Sequence, residues 1–175
     1  MKFNNDSLRE AVKEWVNDQQ KAESKYGHIS TWDTSEVTDM SYLFSFDNTG
    51  ITNEDISRWD VSKVTTMEGM FSSNRNFNQD ISKWNVSNVI DMMGMFCKAR
   101  AFNQDINTKK ITAENSPTGV EYTAWNVSSV TNMQKMFYCA TTFNKDIGQW
   151  NVSQVTDMGL MFSCADDFKQ STGEW

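Results

Sequence analysis

Four aspartates recur at one place in a repeated segment: Asp55, Asp80, Asp105 and Asp146. Stacked in neighbouring units about 4.8 Å apart, such carboxylates repel unless they are neutralised or hydrogen-bonded. One chemistry that answers this is a calcium ladder, helped by Asn78, Asn103 and Asn144. The other is local: each Asp caps backbone N–H groups at a turn of its own unit. No Gly-rich calcium-loop spacing accompanies the column, so no metal site is assigned. The three cysteines, Cys97, Cys139 and Cys164, are odd in number and lack CxxC spacing, which fits neither a disulfide framework nor a zinc ribbon. Cys139 and Cys164 share a column, where buried thiols or a bridge between stacked neighbours are both open.

His28 is the single histidine and excludes His-pair catalysis and multi-His zinc. Asn85, Asn126 and Asn151 begin N-V-S sequons, but Asp33 and Asp60 fill the same column, which points to backbone bonding before glycosylation. Asn5-Asp-Ser7 is a fourth sequon. A Thr column (Thr38, Thr65, Thr131, Thr156) resembles the arrays of ice-binding proteins, yet Ile90 breaks it. Every Ser and Asp from which a Ser/His/Asp set could be assembled is explained by its repeat column. The expectation is a non-enzyme with no catalytic residue and no cofactor.

These columns belong to a repeat. Trp32, Trp59, Trp84, Trp125, Trp150 and Trp175 are separated by 27, 25, 41, 25 and 25 residues. Each of the first five is followed by Asp or Asn, a Ser two residues later, then Val (Val37, Val64, Val89, Val130, Val155) and Met (Met40, Met67, Met92, Met133, Met158). Phe44, Phe71, Phe96, Phe137 and Phe162 end the run, and a Phe-Asn-x-Asp-Ile segment closes the unit at 77–81, 102–106 and 143–147. The 7 Trp, 11 Phe and 11 Met of the composition follow from this pattern. A unit of 25 residues cannot bury its own apolar columns, so neighbours must stack. The spacing of V-T-x-M-x-x-M-F predicts short helical turns, and F-N-x-D-I-S-x-W predicts short strands aligned in a parallel sheet. The fold class expected is α/β: a solenoid of five coils.

The 175 residues divide into an N-terminal helical cap, 1–31, and the repeat array, 32–175. In the cap, Ser7 and Glu10 form an S-x-x-E capping box, and Leu8, Val12, Trp15 and Val16 share a helical face through about Gln20. The array departs from its period at three places. Two extra residues near Asn48–Ile51 lengthen one turn, and Lys169, Ser171 and Thr172 replace the Asn, Asp and Ile columns in the fifth unit, as a terminal capping repeat should. The third departure is an insert at about 107–124, with the only Pro, Pro117. Projecting loops on rigid scaffolds carry recognition. Lys109, Lys110, Glu114, Glu121 and Tyr122 are the candidate partner-binding residues if the insert is a binding loop; a tolerated insertion without function is the reading placed ahead of it.

A net charge of −7 argues against nucleic-acid binding, and no window reaches the roughly 18 apolar residues of a membrane span. The first fifteen residues hold no apolar signal segment.

The unit W-D/N-V-S-x-V-T-x-M-x-x-M-F with F-N-x-D-I-S-x-W resembles the repeat of the BspA-like leucine-rich-repeat surface proteins, from Trp32 to Trp175. The resemblance implies an LRR-like solenoid, adhesion or protein binding at a cell surface, and no catalytic residues. The function expected is recognition of another protein through the exposed repeat face or the insert. The alternative is a structural subunit of a larger assembly, such as a virus particle or cell envelope, with self-association through the coil ends.

Overall fold

The computed structural model describes residues 1–45, 53–173 and 175; the lengthened turn expected at 48–51 lies outside them. The N-terminus adds Lys2 to the first unit by a parallel bridge to Asp33, then enters helix α1, Asn5–Asn17. Its N-cap is Asn4 and not Ser7: the Asn4 side chain accepts from the Ser7 N–H at 2.9 Å, and the Ser7 hydroxyl accepts from the Asn4 N–H at 3.0 Å. Ser7 therefore does belong to a capping box, but at its third helical position. The helix stops at Asp18, whose side chain caps α2, Gln19–Tyr26. Glu14 ties the two together through Lys21 and Lys25, each at 3.0 Å, and these contacts hold its carboxyl down at about 2. The apolar face of α1 buries Leu8, Ala11, Val12 and Trp15, and Trp15 meets Trp32 of the first unit edge-on at 5.7 Å.

The array corrects the expected α/β architecture. Among the described residues there are two α-helices, two 3₁₀ turns and one sheet of two antiparallel strands, β1 (Lys109–Ile111) and β2 (Tyr122–Ala124), both in the insert. The parallel strands and helical turns of a leucine-rich-repeat-like solenoid of five coils are not formed. Single residues, Asp39, Thr66, Asp91, Asn132 and Asp157, make isolated parallel bridges in their place.

The reason lies in how the peptide groups are shared. In the second unit Met70, Ser72 and Asn74 donate back to the carbonyls of Met67, Gly69 and Phe71, closing overlapping four-residue turns. The alternate N–H groups, those of Met67, Gly69, Phe71 and Ser73, donate to Asp91, Met93, Met95 and Cys97 of the next unit. Half of the backbone bonds are thus local and half reach the neighbour, so neither a helix nor a strand ladder can form. Residues in the left-handed region make the alternation: Gly69 (φ 56°) and Ser73 (φ 61°) here, Gly94 and Lys98 in the next unit. Turns that repeat every two residues place Val, Met and Phe three or four apart on the inner side. That spacing is also the signature of a helix.

The F-N-x-D-I segments are linked by side chains and not by strand pairing. Asn53, Asn78, Asn103 and Asn144 each accept, through Oδ1, the N–H of the residue one unit on, at 2.9–3.0 Å. Inside, the aromatic columns stack: Phe44, Phe71, Phe96, Phe137 and Phe162 follow at 5.6–5.7 Å, nearly parallel. Each Trp indole N–H from Trp59 to Trp150 donates to an Ile carbonyl of a preceding segment, as Trp125 does to Ile81 at 2.9 Å.

Candidate recognition surface around the insert hairpin

The polar columns are occupied by turn formation. Asp55, Asp80, Asp105 and Asp146 accept through Oδ1 the N–H two residues on, at 2.8–3.1 Å. Asp33, Asp60, Asn85, Asn126 and Asn151 do the same at 2.9–3.2 Å, so the sequon column carries Asx turns. Asn5 spends its side chain on the Thr38 and Asp39 N–H groups. A third turn column was not anticipated: Asp39, Thr66, Asp91, Asn132 and Asp157 cap the residue two further on. Its signal was the Asp/Asn/Thr position just before each Met. Hydrogen bonding from Ser57 holds the Asp55 carboxyl below the usual range, and Ser35 does so for Asp33. The hydroxyls of Thr65, Thr131 and Thr156 donate to carbonyls of the preceding unit. Among the described residues no three His, Cys, Asp or Glu side chains gather in a metal-binding group.

The cysteines are free. Cys97 and Cys139 are half-buried and Cys164 is exposed, which differs from the expected buried thiols. Cys139 and Cys164 have positive φ, in the column of Ser73 and Lys98, at turn corners on the outer surface. Burial and the neighbouring Cys164 push the Cys139 thiol up. His28 accepts the Ser30 N–H at a 3₁₀ turn, with Glu54 at 3.9 Å.

The insert is an ordered hairpin laid against the array. Lys109, Lys110 and Ile111 pair with Ala124, Thr123 and Tyr122, and a 3₁₀ turn, Ala113–Asn115, follows β1. Ile111 is buried, and the Thr108 hydroxyl donates to the Trp125 carbonyl at 3.0 Å. The Tyr122 hydroxyl donates to the carbonyl of Lys83, 39 residues earlier, and burial raises its pKa. Pro117 and Thr118 close a small pocket of about 20 Å³ over Trp59, Asp60 and Lys83.

Of the five candidate residues, Lys110, Glu114 and Glu121 are exposed, and Lys109 is drawn toward Asp105 at 3.7 Å. Tyr122 is half-buried and acts as an anchor. Lys110, Glu121 and Tyr122 line one groove of about 240 Å³, with Ile111, Thr112 and Thr123; Glu114 lies apart, beside Arg58, Lys83 and Pro117. Two members of this surface were missed. Val120, 64% exposed, sits past Gly119 in the loop just before β2, and Lys83 supplies the anchoring carbonyl with no signal in the sequence.

Stacked turn units, Asx columns and an anchored hairpin define a turn-built repeat protein. Residues 11–122 and 112–175 match the model of the family described as Mycoplasma protein of unknown function, DUF285, and the chain belongs to that family. No curated protein and no solved structure matches it.

Proposed function

We propose that this chain is a non-catalytic protein-binding module that recognises its partner through the insert hairpin. The observation that carries this reading is the build of the insert: a segment the repeat does not require is ordered, anchored by Tyr122 and Ile111, and holds Val120, Lys110, Glu114 and Glu121 outward. A loop ordered before contact loses less freedom on binding, which favours affinity. The mixture of Lys and Glu around an exposed Val120 suits a protein surface of mixed charge. The likeness of the unit to BspA-like surface proteins supports adhesion as the setting.

The test is affinity capture from cell-surface extract of the source organism by the intact chain and by Val120→Asp and Lys110→Glu variants, with thermal melts to establish that each variant is folded. A partner held by the parent and lost by at least tenfold in both folded variants supports the hairpin. Equal capture by all three chains overturns it.

A further inference from the structure

The fourth and fifth units are joined by a row of backbone bonds that ends on a pair of thiols. Met133, Lys135, Phe137 and Cys139 donate to the carbonyls of Asp157, Gly159, Met161 and Ser163 at 2.8–3.0 Å, and Asn132 forms a parallel bridge with Asp157. In that register a donor to residue 163 stands opposite residue 164, so Cys139 and Cys164 are direct neighbours across the junction. Two places earlier the rings of Phe137 and Phe162 stack at 5.6 Å, 3° from parallel. The two cysteines share one corner conformation, with φ of 53° and 59°, so their side chains leave the backbone in the same direction. A parallel spacing of about 4.8 Å between their Cα atoms lies inside the range of roughly 4.4–6.8 Å that a disulfide spans. Burial raises the Cys139 thiol, and hydrogen bonding with Cys164 raises it further, as expected of sulfurs within reach of each other. Cys97 stands one place out of this pairing. Lys98 donates to the Tyr138 carbonyl at 2.7 Å, which sets Lys98 opposite Cys139 and Cys97 opposite Tyr138. Cys97 and Cys139 are only half-buried with a unit on either side, so thiols at these corners meet solvent inside the array.

We infer that Cys139 and Cys164 form a thiol-oxidation site, at which a small disulfide of the glutathione class writes a covalent bridge between the fourth and fifth units. One thiol of the pair loses its proton and attacks the glutathione disulfide, forming a mixed disulfide and releasing one glutathione thiolate. The second thiol loses its proton and attacks the protein sulfur of that mixed disulfide, forming the Cys139–Cys164 bond and releasing the other glutathione. Two electrons pass from the cysteines to the glutathione disulfide, and the two protons end on the two glutathione thiols. The geometry makes the second step intramolecular for this pair and for no pair that includes Cys97. The site shares no residue with the hairpin and is independent of the hairpin reading.

The test equilibrates the folded chain in mixtures of oxidised and reduced glutathione, blocks the remaining thiols, digests with trypsin and identifies the linked peptides by mass. The three cysteines fall in separate tryptic peptides: 84–98, 136–145 and 146–169. The expected product links 136–145 to 146–169 within one chain. It should form at an oxidised-to-reduced ratio about tenfold lower than the one that attaches glutathione to Cys97. Cys139→Ser and Cys164→Ser should each stop at a mixed disulfide on the remaining partner, and the parent in urea should scatter among all three pairings. Separate glutathione adducts on Cys139 and Cys164 without a link, a link to Cys97 from the folded chain, or a link found only between two chains would each overturn the assignment.

Discussion

At the residue scale the molecule is a set of short carboxylates and amides that each replace a strand partner. An Asp or Asn Oδ1 that accepts the N–H two residues on fixes a turn without help from neighbours, which explains why Asp and Asn exchange freely between units. The two differ in acid. Side-chain and backbone bonds from Ser35 and Ser57 lower the carboxyls of Asp33 and Asp55 below the ordinary 3.8. The folded state then binds fewer protons than the unfolded one, so this stability is complete above about pH 4 and is lost as pH falls below it. Thermal melts should give a Tm that is level from pH 8 to about 5 and declines further down. Asp33→Asn with Asp55→Asn should melt within a few degrees of the parent at pH 7 and lose less Tm between pH 5 and 2.5. A variant that loses as much as the parent would remove these two turns from the acid response.

At the element scale the array depends on left-handed corners. Gly69 has φ 56°, and a Cβ there would stand 2.3 Å from the Tyr42 ring, whose hydroxyl donates to Glu68 at 2.5 Å. Lys135 and Leu160 adopt the same φ without being Gly, so the backbone alone is tolerable and the ring is the obstacle. Gly69→Ala should cost about 2 kcal/mol in urea unfolding, the sum of left-handed strain and a displaced ring. Adding Tyr42→Ala should recover about half of that, and no recovery would place the whole cost in the backbone. The unit boundaries and the inward columns were legible because Trp, Val, Met and Phe recur in register. The conformation between them was not. Overlapping turns space apolar residues as a helix does, and the alternation of peptide direction leaves no mark on side-chain type. The insert was legible as a break in period, but its anchor on the Lys83 carbonyl involves a backbone atom and therefore no residue preference.

At the scale of the whole molecule, stability is the continuity of the ring columns, which the insert leaves intact: Phe96 still stacks on Phe137 at 5.6 Å across it. Contacts in such an array are confined to nearest neighbours, so the worth of a ring depends on how many sides are covered. Phe96 is fully buried among Phe71, Phe102 and Phe137, with centroids at 5.6, 3.9 and 5.6 Å. Phe162 has the same role in sequence but stacks on Phe137 on one side, with Phe168 beside it, and is only partly buried among the described residues. Phe96→Ala should therefore cost about 3–5 kcal/mol, as a fully buried aromatic does, because transfer and cavity terms both apply. Phe162→Ala should cost about 1–2 kcal/mol, since part of that ring already meets water and the space it leaves opens to solvent. Urea unfolding of the two variants beside the parent decides the matter. Equal losses would mean that the Phe162 ring is as well covered as that of Phe96.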